Sequence, residues 1–240
     1  MKGILGLVML LLFVRASAQS DKKKPVIIVQ TSEGEILPEA VWKSLNKSDF
    51  KFQRHRNSNE DTLLLRVVRR TEQEKEEYLA KKENKLKAMA KPEESKVFKS
   101  GDKVRFDKMK DIEGNKFDFR SDTSTVVVLN FWFINCPPCR SEIPHLNEMM
   151  RKYKDNPNVK FIAIALDEEY DLKKFLRLNP FNYHIIPSGR FYTQKYGVHL
   201  FPTNVVVGKD KKVKFSTVGL PSNTMYWLEK TIDEALLSVD

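Results

Sequence analysis

Residues 126–133, Val-Val-Val-Leu-Asn-Phe-Trp-Phe, form an apolar run broken only by Asn130. The run is β-branched and aromatic and too short for an ordinary helix, so it predicts a buried strand. Ile143, Leu146, Met149, Met150 and Tyr153 then recur at helical spacing and predict a helix over 138–153. The same reading gives a strand over 159–166, a helix over 168–178, a short strand over 183–186 and a helix over 189–196. A hairpin of 203–207 with 212–218 turns at Gly208-Lys209-Asp210-Lys211, and a helix over 222–238 follows. Upstream, 104–107 and 116–119 flank Glu113-Gly114-Asn115 as an earlier hairpin. Alternating strands and helices imply parallel βαβ units, and the closing hairpin adds antiparallel strands. The fold class is therefore α/β, a mixed central sheet with helices on both faces.

The first hundred residues follow a different pattern. Strands are expected over 25–30 and 63–69, a short helix over 39–45, and a turn over 54–61. Thr71-Glu72-Gln73-Glu74 fits a capping box. It opens a charged helix over about 71–90, stopped by Pro92, with a narrow apolar stripe of Tyr78, Leu79, Leu86 and Met89. No catalytic signature occurs here. Residues 19–95 read as an appended docking or packing segment, and 100–238 as the α/β domain.

Residues 1–18 read as a secretory signal: Lys2, an apolar core over 4–14, and Ala16-Ser17-Ala18 as an A-x-A cleavage site. The core is short of the roughly 20 residues a spanning helix needs, so an uncleaved anchor is the lesser reading. No cysteine follows it, which argues against a lipoprotein. Export to the periplasm, with no membrane span after cleavage, is the expectation, and disulfide chemistry operates there. Net charge is +10, from 42 basic and 32 acidic residues spread along the chain. That surplus suits acidic partners or membrane surfaces, but with no nucleic-acid motif beside it a solvated surface is the simpler reading.

The chain has two cysteines, and both lie in Cys136-Pro137-Pro138-Cys139. A strand that delivers C-x-x-C to a helix start is the context for redox chemistry. Thiolate is the reactive species, and unpaired N–H groups with the helix dipole favour it there. Cys136 is placed at or near the N-cap and Pro137 at the first helical position. The two prolines stiffen the turn and remove two donors, which leaves the Cys139 amide to hold the sulfur. Cys136 is expected to be the exposed attacking thiolate and Cys139 the buried resolving thiol. Structural zinc wants four ligands, and His55, His145, His184 and His199 show no ligand spacing. An inert staple is the other alternative, although so short a loop gains little chain-entropy stabilisation.

From Leu129-Asn130-Phe131-Trp132 through Cys136-Pro137-Pro138-Cys139-Arg140-Ser141-Glu142-Ile143-Pro144, the chain resembles the TlpA/ResA-like exported thiol–disulfide oxidoreductases, over about residues 100–237. The resemblance implies a thioredoxin fold with an N-terminal hairpin and a central αβ insertion. It implies a redox-active Cys136–Cys139 disulfide and no other cofactor. Protein substrates with cysteines or disulfides are implied, among them the C-x-x-C-H segment of apocytochrome c, and a membrane electron donor. Phe201-Pro202-Thr203 matches the family's cis-proline loop, where substrate backbone would pair. Glu142 matches a glutamate near the active site that could shuttle protons, against the alternative of a solvated acid favoured by the helix dipole. Asn130 stands where thioredoxin has a buried aspartate, which strengthens the case for Glu142. Asn135 departs from the tryptophan usual before the first cysteine, so substrate preference does not carry over. Pro137, Pro138 and Trp132 complete the substrate-side candidates, Trp132 being better read as packing beneath the site. Pro144 is expected to kink the helix.

Three other functions compete with this reading. A non-enzymatic partner-binding module would keep the disulfide as structure. A thiol peroxidase wants a Pro-x-x-x-Thr type loop before its cysteine, and that loop is absent. A copper-delivery protein prefers C-x-x-x-C with a ligand histidine, for which only His199 offers itself.

Overall fold

The computed structural model describes residues 24–56, 58 and 61–238. The expected signal over 1–18 lies outside the described residues. The chain divides into two units between Leu79 and Ala80.

The first unit holds β1 (Val26–Gln30), α1 (Glu39–Ser44), β2 (Phe50–Arg54), β3 (Thr62–Arg69) and the opening turns of α2 (Glu72–Ala88). The sheet order is β1-β3-β2, with β1 parallel and β2 antiparallel to β3. Strand β2 was not anticipated. Phe50 and Phe52 alternate with Lys51 and Gln53, but five residues give a weak period-two signal. Trp42 meets Phe52 edge-on at 6.1 Å. The capping box forms: the Glu74 amide donates to Thr71 Oγ1 at 3.2 Å, and the Thr71 amide donates to Glu74 Oε2 at 3.1 Å. Lys51 pairs with Glu74, and Lys75 with Asp49, tying the first turns of α2 to the sheet.

The second unit adds β4 (Met109–Lys110), β5 (Lys116–Phe117), β6 (Val126–Trp132), α3 (Pro137–Lys152), β7 (Val159–Ala165), α4 (Glu169–Leu176), β8 (His184–Ile186), α5 (Arg190–Tyr196), β9 (Thr203–Val207), β10 (Val213–Val218) and α6 (Thr224–Leu237). Five strands run in the order β10-β9-β6-β7-β8. Strand β6 is central, parallel to β7 and antiparallel to β9. All of its residues are buried. Val126, Val128 and Trp132 pack with Leu146 and Met149 of α3 and Leu228 and Ile232 of α6. Val127, Leu129 and Phe131 pack on the other side with Phe98, Phe106 and Val198. This is the mixed α/β thioredoxin fold expected, with the hairpin and the αβ insertion in place.

Two boundaries move. The early hairpin pairs Met109 with Phe117 and Lys110 with Lys116, so its first strand lies nearer the turn than the expected 104–107. Asp111 closes its loop by accepting from the Glu113 and Asn115 amides, so pairing starts at once on either side of the turn. The α/β unit also begins before residue 100. The Ser95 amide donates to Ser216 Oγ at 3.0 Å, and Ser216 Oγ donates to the Phe98 carbonyl at 2.6 Å. Phe98 stacks on Phe131 at 5.7 Å. Segment 91–98 therefore belongs to the core it was expected to precede, because Phe98 is buried in one cluster with Phe131, Val198 and Val205.

Phe98→Ala should cost about 3–5 kcal/mol, as for other buried aromatics. Urea unfolding measures it; a loss below about 1 kcal/mol would remove Phe98 from the core.

Candidate active site

Strand β6 ends at Trp132, and four residues later Cys136 caps α3 in extended conformation, φ −97° and ψ 103°. Pro137 is the first helical residue, where its missing N–H costs nothing. The Cys139 amide donates to Cys136 Sγ at 3.3 Å, the donor that the two prolines leave available. Cys136 and Cys139 are joined as a disulfide with Cα atoms 5.3 Å apart. Cys136 is not exposed as expected: it is 3% accessible, against 1% for Cys139. An N-cap side chain turns inward to meet the helix amides, and here it also reaches a partner in the apolar cluster beneath. Its N-cap position therefore distinguishes Cys136, not its accessibility. Pro137 and Pro138 are exposed, and Pro137 lines a groove of about 500 Å³ shared with Arg140, Phe175 and Leu178.

Glu142 lies one turn further along α3 and is fully buried, so the solvated alternative is not what the helix presents. Asn130 Nδ2 donates to Glu142 Oε1 at 2.7 Å, and Asn204 Nδ2 donates to Oε2 at 3.0 Å. Asn130 Nδ2 also donates to Asn204 Oδ1 at 2.9 Å. The two asparagines are directly opposed across β6 and β9. Burial pushes Glu142 up to about 7, with both carboxamide bonds opposing the rise. Tyr183 is buried nearby, its hydroxyl unpartnered among the described residues; burial and the Glu142 charge both push its phenol up. Asn204 was missed in the sequence. Its only signal is a second asparagine breaking a second apolar strand, and pairing register is needed to read it.

The bond between Phe201 and Pro202 is cis. Phe133, just before the cysteines, meets Phe201 edge-on at 5.3 Å, so the loop and the disulfide share one surface. Phe201 is half-buried and Leu200 exposed, but Pro202 and Thr203 are buried. Thr203 Oγ1 donates to the Leu200 carbonyl at 2.7 Å, and its backbone pairs within the sheet on both sides. As side-chain contacts for a substrate, Thr203 and Trp132 are therefore corrected. Trp132 is fully buried against Phe175 and Phe181. Pro144 sits inside a helix that runs unbroken from Pro137 to Lys152. Among the described residues no three His, Cys, Asp or Glu side chains converge to hold a metal.

The model of the AhpC/TSA family matches residues 101–216. The structure of a protein assigned as thiol:disulfide interchange protein DsbE from Chlorobium tepidum is 30% identical, with a TM-score of 0.52; the match covers 58% of this chain and 99% of that one. The chain belongs to the thioredoxin-like family. Thiol-disulfide oxidoreductase ResA of Bacillus thuringiensis (strain Al Hakam) is 34% identical over 111 residues, 45% of this chain and 64% of the relative. ResA of Halalkalibacterium halodurans is 30% identical over 115 residues, 47% of this chain and 65% of the relative. The chain thus spans a little under two thirds of the ResA proteins it matches.

Glu142 gives a stability signature with a definite sign. Its carboxyl titrates near 7 when folded, against 4.5 for the unfolded reference. The folded state holds the extra proton between these values, so stability falls as pH rises through that window. Relative to Glu142→Gln, wild type should lose about 3 kcal/mol between pH 4 and pH 8. Parallel pH profiles for the two proteins, from urea unfolding, would deny the buried titration.

Proposed function

We propose that this protein is an exported thiol–disulfide oxidoreductase that reduces disulfides in periplasmic proteins. The observation that carries the reading is the Cys136–Cys139 pair at the start of α3, its N-cap sulfur held by the Cys139 amide one turn from buried Glu142. Reduced Cys136 attacks a substrate disulfide as thiolate and expels one substrate sulfur as a leaving thiolate. Cys139 then loses its proton, attacks Cys136 Sγ and expels the second substrate thiolate. Two electrons pass to the substrate, the Cys136–Cys139 disulfide forms, and no bound cofactor takes part. Glu142, near 7, is matched to accept the Cys139 proton at neutral pH. The half-buried Phe201 and exposed Leu200 offer an extended polypeptide apolar contacts at the cis-proline loop, and the groove beside Pro137 adds a mixed surface that includes Phe175, Leu178 and Arg140.

Re-reduction requires a dithiol donor, and a membrane electron donor fits an exported protein. Residues 1–18 support export; among the described residues no helix is long and apolar enough to cross a membrane. The family resemblance carries forward one substrate class, the C-x-x-C-H segment of apocytochrome c.

Cys139→Ser should accumulate mixed disulfides through Cys136 in its native cell envelope, where mass spectrometry identifies the captured proteins. Capture through Cys136→Ser alone would reverse the two roles, and full activity of the double serine variant would leave a binding module. In the exchange rate, Glu142→Gln should remove the pH dependence centred near 7. An unchanged profile would take Glu142 out of the proton path.

A further inference from the structure

Glu142, Asn130 and Asn204 form a closed triangle in the core. Each corner is fully or almost fully buried, so no bulk water repairs a mismatch. The donor and acceptor bookkeeping of this triangle depends on the charge of Glu142. With the carboxylate ionised, Asn130 Nδ2 donates to one oxygen and to Asn204 Oδ1, and Asn204 Nδ2 donates to the other oxygen. All three edges are satisfied, and Asn130 Oδ1 alone is left without a partner among the described residues. With one proton on the carboxyl, no arrangement achieves this. If both carboxamides keep their orientation, the new O–H faces an N–H donor. If both flip, one edge sets oxygen against oxygen. If only one flips, the edge between the asparagines pairs like with like. In the orientation the structure holds, each carboxyl oxygen faces an N–H donor and not an acceptor, and a mismatched buried polar group costs about 1–3 kcal/mol.

We propose that Asn130 and Asn204 are positioning residues that select the carboxylate form of Glu142. This rests on the reading of Glu142 as the proton carrier and deepens it. Burial alone would keep a carboxyl neutral well past neutrality, and such a group could not accept a proton. The donor pair offsets enough of that penalty for the group to change charge near neutral pH. Neither asparagine touches the sulfurs' chemistry in this arrangement. Each acts through Glu142.

Few other ionisable groups surround the triangle. Strands β6 and β9 bring the two neutral asparagines. The segment leading into β8 brings Tyr183, whose own phenol stays protonated through the range in question. Helix α3 itself brings the Cys136–Cys139 pair, which does not titrate while it is a disulfide. The titration of Glu142 in the oxidised protein therefore reports its desolvation and its two donors.

The experiment is ¹³C NMR titration of the Glu142 carboxyl in the oxidised full chain, assigned with Glu142→Gln. Asn130→Leu and Asn204→Leu keep similar volume and remove the donors. Each should raise the Glu142 midpoint by at least one pH unit, a tenfold or larger change in the protonation equilibrium. An unmoved midpoint in a folded leucine variant would overturn the proposal. Wild-type protein provides a second reading that needs no variant. The side-chain N–H resonances of Asn130 and Asn204 should titrate with the same midpoint as the carboxyl, and carboxamides silent across that midpoint would overturn it as well. Because the oxidised protein performs no exchange, this result stands apart from the Glu142→Gln rate profile, which alone reads whether Glu142 carries protons in turnover.

Discussion

Burial of β6 on both faces is the constraint from which the rest of the second unit follows. A strand covered on two sides has no free face to slip along, so its register against β7 and β9 is fixed by apolar packing. Fixed register places Trp132 at the same level each time, and the chain has only four residues in which to turn and start α3. The cysteines therefore follow directly on a strand paired on both edges and buried on both faces. Chemistry at a helix start needs this fixed placement, because amide donors and the dipole act over short distances.

The same burial makes one polar residue in β6 expensive. Asn130 is tolerated because the antiparallel neighbour β9 sets Asn204 opposite it and α3 lays Glu142 across both. Three polar side chains from three elements pair with one another in a place that none could occupy alone, and Asn130 Oδ1 is the one atom of the three side chains left without a partner among the described residues. The arrangement couples structure to chemistry. An acid held near neutrality is poor for stability above its midpoint and well suited to moving protons beside a pair of cysteines. The cost to the fold and the use to the reaction are one electrostatic fact.

Much of this was readable from residues alone. The strand over 126–133, the helix start at Pro137, the Cys139 amide as sulfur donor and the capping box at Thr71 each follow from a local rule about period, φ or unpaired N–H groups. Where reading failed, the missing information was non-local. Five residues of β2 alternate too briefly to be distinguished from a loop. Phe98 falls between the two expected segments because its partner Phe131 lies more than thirty positions away. Thr203 belongs to a motif segment, but its side chain is buried and bonded to the Leu200 carbonyl, which only the folded loop decides.

The amino-acid order by itself determined that a C-x-x-C pair would sit between a buried strand and a helix, since apolar periodicity and proline geometry act over a few residues. Only tertiary structure decided that Cys136 is covered, that the α/β unit reaches back past Ser95, and that Glu142 is buried between two carboxamides. Those outcomes depend on which strand lies beside which, and in what register. That choice is made by packing distant segments against both faces of one sheet, and no short window of sequence contains it.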